Sequence, residues 1–285
     1  MSSRFERVAT HVLLIMFAVI AVYPLISIVT LALTPPNETV TGFSLPSEFT
    51  LDNFAVAWRD GRFDEALINS AIVALSVVII SVALSVLAGY ALGTMRFPGA
   101  NLIFFILITG LIIPYESLII PLYQTFKDWR MLDSLPALIL PQIGVSVTLG
   151  TFWMRGFFRS TPRSITEAAR VDGAGHFRTL VGVLLPSALP ATLTLSVLIF
   201  MYTWNDFLLA LVMNPSGRVF TAPLALSFFA GAQRTSDQTV VAAAAVLVAI
   251  PVILFYVFLQ RQFVRGFLSG AVKVKSLATI RLAYL

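Results

Sequence analysis

Six long apolar runs constrain this chain more than any other feature. They fall at about 11–34, 68–95, 101–127, 134–155, 187–213 and 240–263. A helix needs about 20 mostly apolar residues to cross a bilayer. Only 12% of the residues are charged, against about a quarter in a soluble globule. The expectation is an all-α integral membrane protein with six transmembrane helices. The first run, Val12 to Leu33, exceeds a signal-peptide core of about 7–15 residues. It has no small-x-small site before Pro35-Pro36, so it reads as a retained anchor. The 35–67 loop is the longest and holds a short amphipathic stretch, Asp52 to Trp58. No internal repeat interrupts this plan.

An even number of spans puts both termini on one side. With the N-terminus inside, thirteen of the nineteen Lys and Arg residues lie inside, including Arg96, Arg155, Arg159, Arg163, Arg170, Arg178, Arg261, Arg265 and Lys273. The outer six are Arg59, Arg62, Lys127, Arg130, Arg218 and Arg234. The positive-inside bias places the termini and the 155–186 loop in the cytoplasm. The net charge of +5 therefore acts through its placement, and no nucleic-acid partner is implied. The membrane lipid is the partner that composition alone demands.

Several chemistries are excluded or lack a motif. There is no cysteine, and the only histidines are His11 and His176, which removes thiolate and histidine-based metal centres. A P-loop needs Gly-Lys-Ser/Thr, but the three lysines follow Phe126, Val272 and Val274. There is no HExxH, and Gly144-Val145-Ser146-Val147-Thr148 fails the last position of a nucleophile elbow. The chain is not expected to be an enzyme, and any ATP hydrolysis must come from another subunit.

The 155–186 loop is polar where a simple turn would suffice. Thr161-Pro162 can start a helix, and Ser164-Ile165-Thr166-Glu167 fits a capping box. Ala168-Ala169 leaves a small-residue face that another surface could approach closely. Gly173 and Gly175 break the helix. His176 to Leu184 can form a second short helix, after which Pro186 resets the chain for the fifth span. On composition this is either a solvated interfacial helix or a docking element.

The spacing here resembles the transmembrane permease subunits of binding-protein-dependent ABC importers. Their cytoplasmic signature is Glu-Ala-Ala, three residues, Gly, nine residues, then Ile-x-Leu-Pro. This chain reads Glu167-Ala168-Ala169, Gly173, then Val183-Leu184-Leu185-Pro186, with Val for Ile the one departure. Asn69-Ser70, Gly89-Tyr90-Ala91-Leu92, Pro114, Pro121-Leu122-Tyr123 and Trp204-Asn205-Asp206-Phe207 look like the carbohydrate-importer branch. So do the segments from Gln260 to Gly266 and from Gly270 to Lys273, and together they are most similar to the maltose-permease G type. The resemblance implies a type I importer (MetI-like) permease fold. Its parts are an N-terminal span and extracytoplasmic loop over 1–66, a permease core over 67–264 with a coupling hairpin at about 162–185, and a cytoplasmic tail over 265–285. It implies that Glu167, Ala168, Ala169, Asp172, Gly173 and Ala174 form a coupling helix docked on an ATPase. The implied partners are a homologous second permease, two ATPase subunits carrying ATP and magnesium, and an extracytoplasmic binding protein. No cofactor is implied in this chain. The membrane would be a bacterial or archaeal plasma membrane and the cargo a sugar or oligosaccharide, with glycerol phosphates and polyols served by related permeases. A self-sufficient secondary transporter would instead show inverted repeats or a carboxylate pair near midplane.

Four residues are candidates for a substrate pathway: Tyr115, Glu116, Asn205 and Asp206. Glu116 lies about 15 residues into the third run, roughly 22 Å along a helix, where a charge faces a cavity, a partner or the far interface. Asn205 and Asp206 can bond a polar substrate, tie helices together or sit at the outer surface. Tyr90, Tyr123, Tyr202 and Trp204 suit sugar stacking or an interfacial aromatic belt. Gly89-x-x-x-Gly93 can admit close helix packing, and Arg261 and Arg265 suit snorkelling anchors.

Overall fold

The computed structural model describes residues 4–36, 38, 46–232 and 237–259. Arg234, Arg261, Arg265, the Gln260–Gly266 and Gly270–Lys273 segments and the 265–285 tail lie outside the described residues. The regular elements of the described part are all helices: α1 (Arg4–Ala32), α2 (Asp52–Asp60), α3 (Phe63–Thr94), α4 (Ala100–Ile112), α5 (Tyr115–Asp128), α6 (Leu135–Ser160) and α7 (Arg163–Val171). Then come α8 (His176–Trp204), α9 (Leu208–Met213), α10 (Ala222–Ala232) and α11 (Gln238–Leu259). Five of these are long and apolar enough to cross a membrane, and the bent pair α4–α5 makes six apolar segments. The number agrees with the six runs read from the sequence.

Three details differ from that reading. The third run is two helices meeting at 96° rather than one interrupted span. Ile113 is extended, with ψ 121°, and Pro114 follows with ψ 125°. A residue before proline is driven out of the helical region by the ring, and here that restriction turns the chain. Pro121 sits inside α5 without ending it. The fifth span begins at His176, well before residue 187, and ends at Trp204. Pro186 does not reset the chain. A π turn over Leu180–Leu184 precedes it, with the Leu185 N–H donating to the Leu180 carbonyl. That wider turn carries the helix past a proline that has no N–H to give. Lastly, α10 is an apolar helix of 11 residues, too short to register among runs of about 20.

The described residues fall into two compact units, one drawn from 1–67 with 222–251 and the other from 68–221 with 252–259. In the first, α1 presents apolar side chains on all sides, from Phe5 and Val12 to Ile26, as a helix bathed in lipid does. Its end is fixed by Asn53 of α2, which is fully buried and donates to the carbonyls of Ala32 and Thr34 at 2.9 and 2.7 Å. Phe63 packs edge-on against Phe229.

In the second unit α3 and α6 pack almost backbone to backbone. A Cβ on Gly89 would stand 2.6 Å from Met154 Cβ, and one on Gly93 would stand 3.1 Å from Phe158 Cβ. The Gly89-x-x-x-Gly93 pair therefore does what its spacing suggested. Trp153 Nε1 donates to the Ala191 carbonyl at 3.0 Å and joins α6 to α8. The tightest point is Gly150, where an added Cβ would lie 2.1 Å from Ser85 Oγ and 2.7 Å from Ser85 Cβ. A serine Cβ cannot rotate away, so Gly150→Ala is expected to cost about 1–3 kcal/mol by overpacking. At Gly144 of the same helix an added Cβ meets nothing within 4 Å. Thermal melting of the two detergent-solubilised variants checks this: Gly150→Ala should melt lower and Gly144→Ala should not.

Candidate functional site

The polar hairpin is α7, a tight turn and the first turns of α8. Neither expected start is used. Pro162 is extended, with ψ 132°, and stands at the cap position outside the helix. Ser164 to Glu167 already lie within α7, so no capping box forms, and Thr166 Oγ1 donates back to the Arg163 carbonyl. The end of α7 is sharply defined. The Ala174 N–H donates to the Ala169 carbonyl at 2.9 Å and the Gly173 N–H to the Arg170 carbonyl at 3.0 Å, the paired bonds of a Schellman motif. The motif places Gly173 at φ +76°, where a Cβ is strained. Gly175 has φ −68° and ψ 170°, ordinary extended backbone, so only Gly173 ends the helix by virtue of being glycine.

The Glu-Ala-Ala face is divided. Ala169 is buried, Ala168 is exposed, and Glu167 lines a cleft on one side of α7. Asp172 and Gly173 are exposed and Ala174 is half-buried. Sequence reasoning missed the apolar part of this tip: Val171 is 87% exposed and Phe177 is 73% exposed, and Ile165 in the first turn of α7 is exposed as well. Isolated apolar residues in an otherwise charged loop were the available signal, since Val171 and Phe177 bracket the turn that Asp172 and Gly173 make.

The base of the hairpin is tied to the spans. Tyr90, buried on α3, places its hydroxyl 3.5 Å from His176 Nδ1 at the start of α8 and packs edge-on against Phe158 of α6. Arg155 of α6 donates from Nε to the Leu92 carbonyl at 3.1 Å, and its guanidinium lies 3.5 Å over the Phe104 ring. A cleft of about 1110 Å³ opens here, among the ends of α3 and α6, the start of α4 and one face of α7.

The four pathway candidates are only partly brought together. Tyr115 and Glu116 open α5 just past the 96° bend. The Tyr115 hydroxyl is buried and faces the Asp206 carboxylate, with the Glu116 carboxylate also within electrostatic reach. Asp206 Oδ1 accepts the Leu209 N–H at 3.0 Å and so caps α9. Asn205 is exposed and donates to the Met201 carbonyl of its own helix at 2.7 Å. The hydrogen bond of Asn205 is local, whereas the Asp206 carboxylate also faces the Tyr115 hydroxyl of α5.

The hairpin lies between apolar spans at the spacing that resembles the transport-permease signature. The family profile described as binding-protein-dependent transport system inner membrane component matches residues 81–269. The chain belongs to that family. It is 35% identical over 254 residues to the trehalose transport system permease protein SugB of Mycobacterium tuberculosis, covering 89% of this chain and 93% of that one. It is 31% identical over 271 residues to the diacetylchitobiose uptake system permease protein NgcG of Streptomyces coelicolor, covering 94% and 90%. Among solved structures, one chain of a bacterial ABC transporter involved in the import of the acidic polysaccharide alginate superposes with a TM-score of 0.74. That match has 27% identity and covers 92% of this chain and 99% of that one.

Proposed function

We propose that this chain is a transmembrane permease subunit of an ATP-driven importer of sugars or oligosaccharides. The observation that carries the reading is the hairpin: a signature-spaced turn locked by Gly173, with Val171 and Phe177 held out to solvent. Large apolar side chains exposed on a short helical tip are the anchors expected of a helix seated in a groove. The occupant fits an ATPase subunit, which would bring the ATP and magnesium for which this chain has no P-loop. The names of the relatives (trehalose, diacetylchitobiose and, at 29% identity, maltodextrin) support a carbohydrate cargo. The basic residues favour cytoplasmic termini and a cytoplasmic hairpin. A second permease and an extracytoplasmic binding protein complete the assembly.

Coupling then has a direct mechanical route. The second arm of the hairpin is the same helix as the fifth span, because α8 runs from His176 to Trp204 without a break. Closure of the ATPase pair would displace the tip and tilt that span, turning the pathway from one side of the membrane to the other. Tyr115, Glu116 and Asp206, with Asn205 nearby, are the polar groups proposed along that pathway. No observation favours a carboxylate-coupled secondary transporter or a polyol importer over this reading.

The test is co-purification of the chain with its ATPase, using the double variant Val171→Asp, Phe177→Asp. Both side chains are exposed, so insertion should be normal. Loss of two apolar anchors should weaken association on the order of tenfold or more. Normal co-purification with normal uptake would overturn the docking role.

A further inference from the structure

We propose that the cleft beside α7 holds the headgroup of an anionic phospholipid. The inference rests on the cytoplasmic placement of the hairpin argued above. Five arginines line this one cleft: Arg96 from the α3–α4 connection, Arg155 and Arg159 from α6, Arg163 and Arg170 from α7. Glu167 is the only acid among the lining residues. Arg155 and Arg159 are one helical turn apart, and their like charges repel. None of the five has a carboxylate partner among the described residues. Five positive charges gathered against one carboxylate, with no ion pair among them, are the recognition chemistry of a phosphate-bearing anion.

The position selects a lipid as the source. The cleft opens where α3 ends at Thr94, α6 ends at Ser160 and α4 begins at Ala100. That is the level of the headgroups if these helices span the bilayer. Phe97 and Pro98 form part of its wall. From the same end α4 runs off with Leu102, Phe105 and Ile106 exposed, a surface for acyl chains that a soluble anion would not use. Cytoplasmic leaflets are rich in anionic lipid and attract Lys and Arg near the surface. The volume of about 1110 Å³ accommodates a phosphoglycerol headgroup with water. The other side of α7, with exposed Ile165, Ala168, Val171 and Asp172, stays free for the ATPase. A lipid in the cleft would touch Arg163 and Arg170 on the moving hairpin as well as Arg155 and Arg159 on a span, and would brace one against the other.

Native mass spectrometry of the full chain, released from detergent with added lipid, tests this. Phosphatidylglycerol should be retained over phosphatidylcholine, which has the same phosphate but no net charge. Arg159→Gln, Arg163→Gln removes two exposed cleft arginines and should lower phosphatidylglycerol retention on the order of tenfold. Arg59→Gln, Arg62→Gln, outside the cleft, should leave it unchanged. Equal retention of the two lipids, or full retention by the cleft variant, overturns the proposal. Displacement of phosphatidylglycerol by millimolar inorganic phosphate overturns the lipid source and leaves a soluble-anion site. The readout involves neither uptake nor ATPase association, so the coupling reading and this one can fail separately.

Discussion

A chain carrying Gly173→Pro should reach the membrane in normal amount and import nothing. Proline fixes φ near −65°, whereas Gly173 sits at +76°. Proline also deletes the N–H that bonds the Arg170 carbonyl. The Schellman turn then cannot close, and α7 is re-aimed relative to α8. The damage is confined to the backbone of the turn, because an added Cβ at Gly173 would meet nothing within 4 Å. Gly173→Ala should therefore be milder, costing about 1–2 kcal/mol for the left-handed residue and leaving partial uptake. Gly173→Asn should be milder still, since asparagine tolerates that region. Uptake of labelled sugar, normalised to the amount of chain in isolated membranes, orders the three variants. Wild-type uptake by Gly173→Pro would remove the hairpin from the coupling route.

The second large effect is expected at Asn53. Its Nδ2 satisfies two buried carbonyls, Ala32 and Thr34, and its Oδ1 lies 3.3 Å from Thr239 Oγ1, whose one proton is taken by Asp237. Asn53→Leu keeps the volume close and removes every one of these bonds. The Thr239 hydroxyl retains its bond to Asp237, so the cost falls mainly on the two carbonyls. At about 1–3 kcal/mol for each buried group left unpaired, the first unit should lose about 2–6 kcal/mol. Limited proteolysis in the 33–50 region and thermal melting read this out. The neighbour Asp52→Asn, exposed on the first turn of α2, is the control. An unchanged melting temperature for Asn53→Leu would mean that water replaces the amide there.

Neither effect was equally plain in the sequence. Gly173 could be read, because a glycine ending an alanine-rich polar helix has one common backbone use. Asn53 could not: it stood in a stretch recognised as amphipathic, but its partners come from residues 32, 34 and 239, and no local pattern encodes such a contact. The spans themselves were legible because a bilayer sets a length and a composition. Pro114 marked an interruption without its size, since a proline restricts the residue before it but tertiary packing sets the angle. Gly150 carried no signal, being a single glycine whose meaning lies in Ser85 on another helix. Val171 and Phe177 needed the structure for the opposite reason, because exposure is a statement about what fails to cover a side chain. That the Asn205 amide bonds the Met201 carbonyl of its own helix was a local choice the sequence left open.

The π turn at Leu180–Leu184 also sets a phase. A turn bonded five residues apart takes in one residue more than its neighbours, and a residue is worth about 100° around an α-helix. The faces of α8 before and after the turn are therefore not in register, although the rod is continuous. His176 to Thr179 can be oriented for the hairpin while the helix from Leu185 onward is oriented for its neighbours in the bilayer. Deleting one residue elsewhere in α8 would shorten the rod by about 1.5 Å yet swing the hairpin face by more than a quarter of a revolution, whereas deleting the extra residue within 180–184 would let the turn close as plain α-helix and leave both faces nearly where they are. In this helix rotational alignment is the more sensitive quantity, and length the more forgiving one.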